Sequence, residues 1–175
     1  MSSETAYSRH LVMPYVHGNV LDIGSGGDPI VDYAVQIDLP EHLFCQYGHA
    51  FKPRIQPQLR GVDFHKNLPF KDGVFDTVFS SHLLEDYNEW EQLLSEWLRV
   101  VRIGGRLIIM VPDKVLFNKA VAGGQSGNGN HKHEFYVGEL SEWAQRSGKV
   151  SVERDSLTGV RGPGDYNILF VAVKL

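Results

Sequence analysis

The chain has 175 residues, of which 42% are hydrophobic, and a formal net charge of −4. This length and apolar content predict one domain with a substantial core. The slight acidity excludes the overall basic field of nucleic-acid-binding proteins, so no nucleic-acid partner is expected. Strongly apolar runs such as Leu107–Val111 are far shorter than the ~20 residues that cross a bilayer, and no membrane association is expected.

The cysteine content and the N-terminal segment bear on the compartment. Cys45 is the only cysteine, so an intrachain disulfide is impossible and a reducing compartment fits. Residues 1–7 lack the basic and apolar regions of a secretion signal. We therefore expect a cytoplasmic location.

The first predicted elements are a helix and two short strands. Residues 4–13 are predicted to form a leading helix, and residues 19–23 and 34–38 read as strands one and two. The link 24–33 is shorter than a normal βαβ crossover, so at most about one helical turn is expected there. Each of these strands carries an acid at or near its end.

The middle of the chain contains a weak strand, a strong strand and the clearest helix. Pro53 ends any helix before it. Residues 61–64 are predicted to end a third strand, and the β-rich run 74–80 is the fourth. Apolar residues recur at three- and four-residue steps over 89–102, which predicts a helix that Gly104 and Gly105 are expected to end.

The remaining elements complete an alternation of strands and helices. Residues 106–111 have the continuous apolar character of a buried parallel strand. A helix over 137–146, closed by Gly148, and strands over 150–153 and 167–173 follow. This alternation predicts an α/β sheet that helices cover on both faces. Residues 123–130 are too rich in glycine to hold one conformation alone.

The most informative segment is Val20-Leu21-Asp22-Ile23-Gly24-Ser25-Gly26. Glycines after a strand let the backbone approach a ligand, and exposed N–H groups favour a polar or anionic group. Asp22, placed before the glycines, suits a positively charged amino group, although a surface Asp at an ordinary turn is the alternative. A dinucleotide fingerprint needs a third glycine where Pro29 and Ile30 stand, which disfavours nicotinamide binding.

This segment resembles motif I of the class I S-adenosylmethionine-dependent methyltransferases. The resemblance implies that Asp22 faces the methionyl amino end of the cofactor and that the turn lines it, through Gly24, Ser25 and Gly26. Asp38 ends strand two, where an acid accepts hydrogen bonds from a ribose diol, with a capping or loop Asp as the alternative. Leu39, its neighbour, is included in the predicted cofactor site.

Further motifs follow in the family's order. Asp63-Phe64 before Leu-Pro-Phe and Phe-Asp resembles the pattern "D…LPF…FD", which implies that Asp63 contacts the adenine amino group and Phe64 packs along the ring. Residues 80–86 are similar to "S-x-H-x-L-E-H" beneath the methionyl part, which places Ser80 in the cofactor site. The segment 97–108 resembles the scaffold "RVLKPGGRLII", and 130–136 resembles a "H-x-H-x-F" turn of the type-11 group.

The resemblance implies a fold and a reaction. The fold is a Rossmann-like doubly wound sheet of order 3-2-1-4-5-7-6, mostly parallel with an antiparallel last strand, formed by residues 1–175 as one domain. The cofactor is S-adenosyl-L-methionine, with S-adenosyl-L-homocysteine as the product. Its methyl group passes by in-line displacement to an acceptor that we expect to be a small molecule or a sugar-containing metabolite.

Two histidines are candidate catalytic bases, because imidazole titrates near neutrality. They are His82 and His133, and a hydrogen-bonded structural histidine is the alternative for each. His131, His133 and Glu134 form only a weak metal signature, so no metal is predicted. The glycine-rich loop 121–133 is a candidate lid over the acceptor, closing with His133 toward the site.

Two other functions stay open at this stage. One is a nicotinamide-dependent oxidoreductase, which a cofactor titration would separate. The other is a partner subunit that binds the cofactor but has no turnover. Two departures from the family pattern keep this possibility open: the short link 24–33, and Asp86 where the family commonly has His. No segment specifies the acceptor or the oligomeric state.

Overall fold

A computed structural model describes residues 4–38, 59–64, 66–124, 127–159 and 165–175. Its strands are β1 (Val20–Ile23), β2 (Val35–Asp38), β3 (Leu59–Arg60), β4 (Phe75–Ser81), β5 (Val101–Pro112), β6 (Val150–Leu157) and β7 (Asn167–Lys174). Its helices are α1 (Glu4–Val12), α2 (Trp90–Val100), α3 (Lys114–Ala122) and α4 (Glu139–Ser147). Short 3₁₀ turns lie at Met13–Tyr15 and Leu84–Asp86.

The described strands form one seven-stranded sheet of order β3-β2-β1-β4-β5-β7-β6. Strand β7 runs antiparallel to β5 and to β6, whereas the pairs formed by β1 to β5 are all parallel. The predicted strand order and the predicted antiparallel last strand are confirmed. Because parallel strands end at the same edge of a sheet, the residues that follow β1, β2 and β4 meet there.

The core lies on both faces of the sheet. On one face α2 buries an apolar stripe that includes Trp97, which is 0% exposed, and Trp90 at 7%. On the other face α1 and the link after β1 supply Val12, Ile30 and Ala34. Fully buried side chains of this size contribute about 1.5–3 kcal/mol each. The helical spacing of the two tryptophans therefore reflects core packing.

Three predicted boundaries are corrected. The link 24–33 has turns and no helix. Strand β3 ends at Arg60, before the predicted segment 61–64. Helix α2 ends at Val100, and Gly104 and Gly105 lie inside β5.

The two glycines of β5 lie at an irregularity of the sheet. The pairing of β4 with β5 shifts register between Phe75 and Thr77, opposite this stretch. A Cβ at Gly105 would come within 2.8 Å of the carbonyl oxygen of Asp76, so the irregular ladder excludes a side chain there. The C-terminal end of α2 is capped by a side chain from strand β7. Lys174 Nζ donates to the carbonyl oxygens of Leu98, Arg99 and Val101 at 2.9, 3.2 and 2.7 Å.

Helix α3 was not predicted from the sequence. Its N-cap is Asp113, whose side chain accepts a hydrogen bond from Leu116 N–H at 3.0 Å. None of its side chains is buried, so it lacks the apolar stripe that reveals most helices. The prediction for α4 is confirmed, with Gly148 in the left-handed region at φ 62° as its end. The predicted helix stop before Pro53 lies outside the described residues.

Candidate functional site

The glycine turn, residues 24–27, follows β1 at the carboxyl edge of the sheet. Gly24, Gly26 and Gly27 have φ values of 74°, 59° and 82°, which L side chains rarely adopt. A Cβ at Gly24 would lie 2.8 Å from Leu83 Cδ2. Glycine is therefore required at Gly24 by both the backbone and the neighbouring side chain.

Asp22 lies beneath this turn. It is 1% exposed, and its Oδ2 accepts a hydrogen bond from the Ile30 N–H at 2.7 Å. Burial raises the pKa of Asp22 to about 7, although the Ile30 hydrogen bond opposes the shift. In this structure the hydrogen bond from Ile30 to Asp22 connects the link 24–33 to strand β1. The role of Asp22 toward a methionyl amino group stays a prediction.

Asp38, at the end of β2, holds the other side of the turn. Its Oδ2 accepts from the Gly26 N–H at 2.8 Å, and its carbonyl oxygen accepts from the Gly61 N–H at 3.0 Å. The structure therefore brings Asp38 and Gly26 together, while the ribose role stays a prediction. Leu39 lies outside the described residues.

Two hydroxyl groups of the predicted cofactor site are turned into the protein. Ser25 Oγ donates to Gln36 Oε1 at 2.9 Å, and Ser80 Oγ donates to the Ile23 carbonyl oxygen at 2.9 Å. Gln36 pairs in register with Asp22 on the neighbouring strand, and it was not predicted. These bonds tie the ends of β1, β2 and β4 into one rigid support for the turn.

The predicted adenine residues lie beyond β3. Asp63 Oδ2 is 2.9 Å from Lys66 Nζ, and the side chain of Asp63 is 43% exposed. Phe64 is 2% exposed and belongs to the core on the α2 face. Arg99 of α2 holds the adjoining segment by donating to the Leu68 carbonyl oxygen at 3.2 Å. The adenine roles of Asp63 and Phe64 stay predictions.

His82 follows β4 in a left-handed conformation at φ 52°, the only non-glycine residue with positive φ among those described. Its Nδ1 lies 3.4 Å from Glu85 Oε1, and its Nε2 lies 3.8 Å from Glu4 Oε2. Burial lowers the pKa of His82, but Glu85 and Glu4 raise it by more, so the net shift is upward. A non-glycine residue in this region indicates a locally constrained backbone.

Glu85 lies at the centre of this group and was not predicted from the sequence. It is 1% exposed, and the same Oε1 that faces His82 lies 3.8 Å from His131 Nε2. Its carbonyl oxygen accepts from the N–H groups of Lys132 and His133 at 2.8 and 3.0 Å. The signal that points to it is its position three residues after His82, one 3₁₀ turn along the chain.

The two predicted catalytic histidines lie in different surroundings. His133 Nε2 is 2.6 Å from Glu139 Oε1, and its ring centroid is 5.2 Å from that of Trp90. His131, rather than His133, shares the carboxylate of Glu85 with His82. Burial lowers the pKa of His131. The structure thus groups His82 with His131 and directs the His133 ring to Glu139.

Two further observations complete the electrostatics. Burial, reinforced by the charge of Glu85, raises the pKa of Asp86 to about 7. In the described part of the chain no three His, Cys, Asp or Glu side chains are arranged to hold a metal ion. Phe117 of helix α3 and residues 131–133 contact the His82 group, with Phe117 at a ring-centroid distance of 4.9 Å from His131.

Sequence comparison identifies similar proteins. Residues 21–109 match the sequence profile of the family described as methyltransferase domain. The norajmaline N-methyltransferase of Rauvolfia serpentina is 31% identical over 102 residues, which cover 53% of this chain and 35% of that protein. The chain spans between 35% and 53% of the length of the curated relatives it matches.

Structural comparison identifies the same fold elsewhere. A SAM-dependent methyltransferase from Thermotoga maritima has a TM-score of 0.70 at 17% identity, covering 98% of this chain and 89% of that one. An S-adenosylmethionine dependent methyltransferase from Mesorhizobium loti has a TM-score of 0.66 at 17% identity, covering 95% and 96%. None of the described helices has the length and apolar character that a membrane span requires.

Proposed function

We propose that this chain, which belongs to the class I S-adenosylmethionine-dependent methyltransferases through its methyltransferase domain, methylates a small-molecule or sugar-containing acceptor. The family and the fold imply S-adenosyl-L-methionine as the cofactor. The observation that supports this function is the glycine turn at the carboxyl edge of the sheet, held by Asp22 from below and by Asp38 from the side.

The chemistry of the turn fits this cofactor. At Gly24 the Leu83 side chain takes the space that a Cβ would fill, so this part of the turn is made of backbone alone. On this proposal Asp22 and the turn glycines hold the methionyl end, Asp38 the ribose hydroxyls and Asp63 the adenine amino group. Carboxylates are suited to both tasks because they accept hydrogen bonds from hydroxyl and amino groups.

The cofactor supplies a methyl group on a sulfonium, whose departing thioether is a good leaving group. The protein's task is to hold the acceptor in line with the methyl–sulfur bond and to exclude water. Positioning of this kind supplies up to roughly 7–11 kcal/mol. Where the acceptor carries a proton, His82 is the proposed base, because Glu85 lies 3.4 Å from its Nδ1.

Calorimetry with S-adenosylhomocysteine tests the cofactor assignment. We expect micromolar binding, about −8 kcal/mol, and no heat with NAD. Gly26→Val should abolish binding, since φ at Gly26 is 59° and a branched side chain disfavours that conformation. Absence of heat with S-adenosylhomocysteine at high protein concentration would refute the proposal.

Turnover separates the enzyme from a cofactor-binding partner subunit. An acceptor screen that measures S-adenosylhomocysteine formation is the direct assay. Methylation of any acceptor excludes the subunit, whereas cofactor binding with no turnover across a broad screen favours it.

A further inference from the structure

Buried polar atoms without partners gather around His82. In the described part of the chain they are Ser81 Oγ, Glu85 Oε2 and Asp86 Oδ1, while the side chains of His82 and Asn167 hydrogen-bond to each other. Buried polar groups in folded proteins almost always have a hydrogen-bond partner, so such a concentration indicates a place where a partner binds. The carboxylate oxygens in this set accept hydrogen bonds, so the missing partner is a donor.

The charge of the site points to the kind of donor. Among the described residues, both ion pairs of Glu85 are with histidines, His82 and His131, and Glu4 lies 3.8 Å from His82. A carboxylate that is 1% exposed needs a cation or several strong donors near it. A neutral hydroxyl group can donate one hydrogen bond, whereas an amine or ammonium group can donate hydrogen bonds to several acceptor atoms.

Aromatic rings form one wall of the same site. Phe117 lies 4.9 Å from His131 and 5.3 Å from Tyr166, measured between ring centroids, and Tyr166 lies 6.4 Å from His82. These rings suit a flat apolar group and, through their faces, a nearby cation. Helix α3, which carries Phe117, has no fully buried side chain, and Phe117 itself is half-buried.

The site adjoins the proposed cofactor turn. Leu83, the residue after His82, is the side chain that approaches Gly24. Ser80 Oγ, two residues before His82, donates to the Ile23 carbonyl oxygen at the end of β1. A group bound at Glu85 is thus held beside the turn that lines the cofactor.

We propose that the methyl acceptor is an arylalkyl amine, whose nitrogen binds the unpaired Oε2 of Glu85 and whose ring lies against Phe117 and Tyr166. This inference rests on the proposed function. Glu85 is at the same time a positioning residue for His82. Its Oε1 faces Nδ1, so Nε2, which lies 3.8 Å from Glu4 Oε2, is the ring nitrogen assigned to the acceptor.

The transfer step balances without a further reactant. The bound ammonium first gives one N–H proton to His82 Nε2, which frees the nitrogen lone pair. That lone pair forms the bond to the methyl carbon, and the electron pair of the broken sulfur–carbon bond stays on sulfur. The products are a methylated ammonium, S-adenosylhomocysteine and a protonated imidazole that returns its proton to water.

The first experiment compares donors on one scaffold. Phenethylamine and tryptamine are assayed against 2-phenylethanol with saturating S-adenosylmethionine, and phenethylamine binding to the protein loaded with S-adenosylhomocysteine is measured by calorimetry. We expect the amines to react at least tenfold faster than the alcohol, a difference of at least about 1.4 kcal/mol, because only the amine can form a charge-assisted hydrogen bond to Glu85. Equal rates for alcohol and amine, or no amine binding and turnover while S-adenosylhomocysteine binds, would overturn the amine proposal and leave the methyltransferase assignment intact.

The second experiment isolates Glu85. Glu85→Gln keeps the shape and removes the charge, and we expect a loss of about tenfold in kcat/KM for phenethylamine with the affinity for S-adenosylhomocysteine unchanged. Glu91→Gln, at a surface carboxylate that pairs with Arg146 at 2.7 Å, is the matched control and should behave as wild type. An unchanged Glu85→Gln enzyme, or an equal loss in both variants, would contradict the proposal.

Titration of His82 gives a readout that does not depend on turnover. The groups that face it are Glu4, Glu85, Asp86 and His131. By NMR, Glu85→Gln should move the midpoint of the His82 imidazole to lower pH, because it removes the adjacent negative charge. An unmoved midpoint means that Glu85 does not position His82.

A further variant covers the case in which Glu85→Gln does not fold. His82→Asn suits the left-handed backbone at φ 52°, and we expect it to lose amine turnover while it keeps cofactor binding. A His82→Asn enzyme with full activity on phenethylamine would show that the base lies elsewhere.

Discussion

The buried carboxyl group of Asp22 makes stability depend on pH. Its pKa is raised from the ordinary value of 3.8 to about 7, with burial as the main cause. Between these two values the folded chain keeps the proton that the unfolded chain has lost. The free energy of unfolding therefore falls as pH rises through this window, by about 1.36 kcal/mol per unit.

The whole effect amounts to about 4 kcal/mol, because the window is about three units wide. Asp22→Asn should remove it. The amide oxygen still accepts from the Ile30 N–H, 2.7 Å away in the wild type, and no ionisation remains to be suppressed. We expect the variant to be more stable than wild type at pH 8 and close to it at pH 4.

Urea denaturation at several pH values between 4 and 8 measures this difference directly. Asp32→Asn changes the charge by the same amount at an exposed position of the same link, and it should leave the wild-type pH dependence in place. If Asp22→Asn shows the same fall in stability with pH as wild type, then burial does not govern the Asp22 carboxyl and the reasoning fails.

Three further changes test the support of the glycine turn and the end of α2. Asp38→Ala should weaken S-adenosylhomocysteine binding by about tenfold or more in calorimetry, since the Gly26 N–H loses its acceptor at 2.8 Å, whereas Asp38→Asn should lose less. Gly24→Ala should lower the free energy of unfolding by about 1–3 kcal/mol in urea, because its Cβ meets Leu83 and φ is 74°, and an unchanged midpoint would contradict this. Lys174→Met should lower the melting temperature through about 2 kcal/mol of lost carbonyl contacts at the end of α2, and a melting temperature equal to wild type would show that water replaces them.

The sequence allowed the sheet to be predicted because its signals are local. Short apolar runs that end in an acid or a glycine marked β1 and β2, a β-rich run marked β4, and family resemblance supplied their order. Helix α2 was clear because its apolar residues repeat with the helical period. Its end was misplaced because the stop is a lysine from β7, remote in sequence, rather than the glycines that follow.

The parts of the site that escaped prediction depend on contacts between distant segments. His131 was named only as a weak metal ligand, because nothing in its own segment reveals that Glu85 lies 3.8 Å away. Asp22 was assigned to the cofactor from the motif, and its bond to the Ile30 N–H depends on how the link folds back. Helix α3 has no apolar stripe to detect.

The absence of buried side chains in α3 has a consequence for how this protein can diverge. Substitutions at exposed positions usually change stability by no more than about 0.5 kcal/mol, so the exposed positions of α3, such as Val115, Asn118 and Lys119, can accumulate them at little cost to folding. The glycine turn has no such freedom, because each change there disturbs the buried bonds of Asp22, Asp38 or Ser25. On the proposed function, preferences for new acceptors can therefore evolve through substitutions in α3 while the residues of the glycine turn stay unchanged.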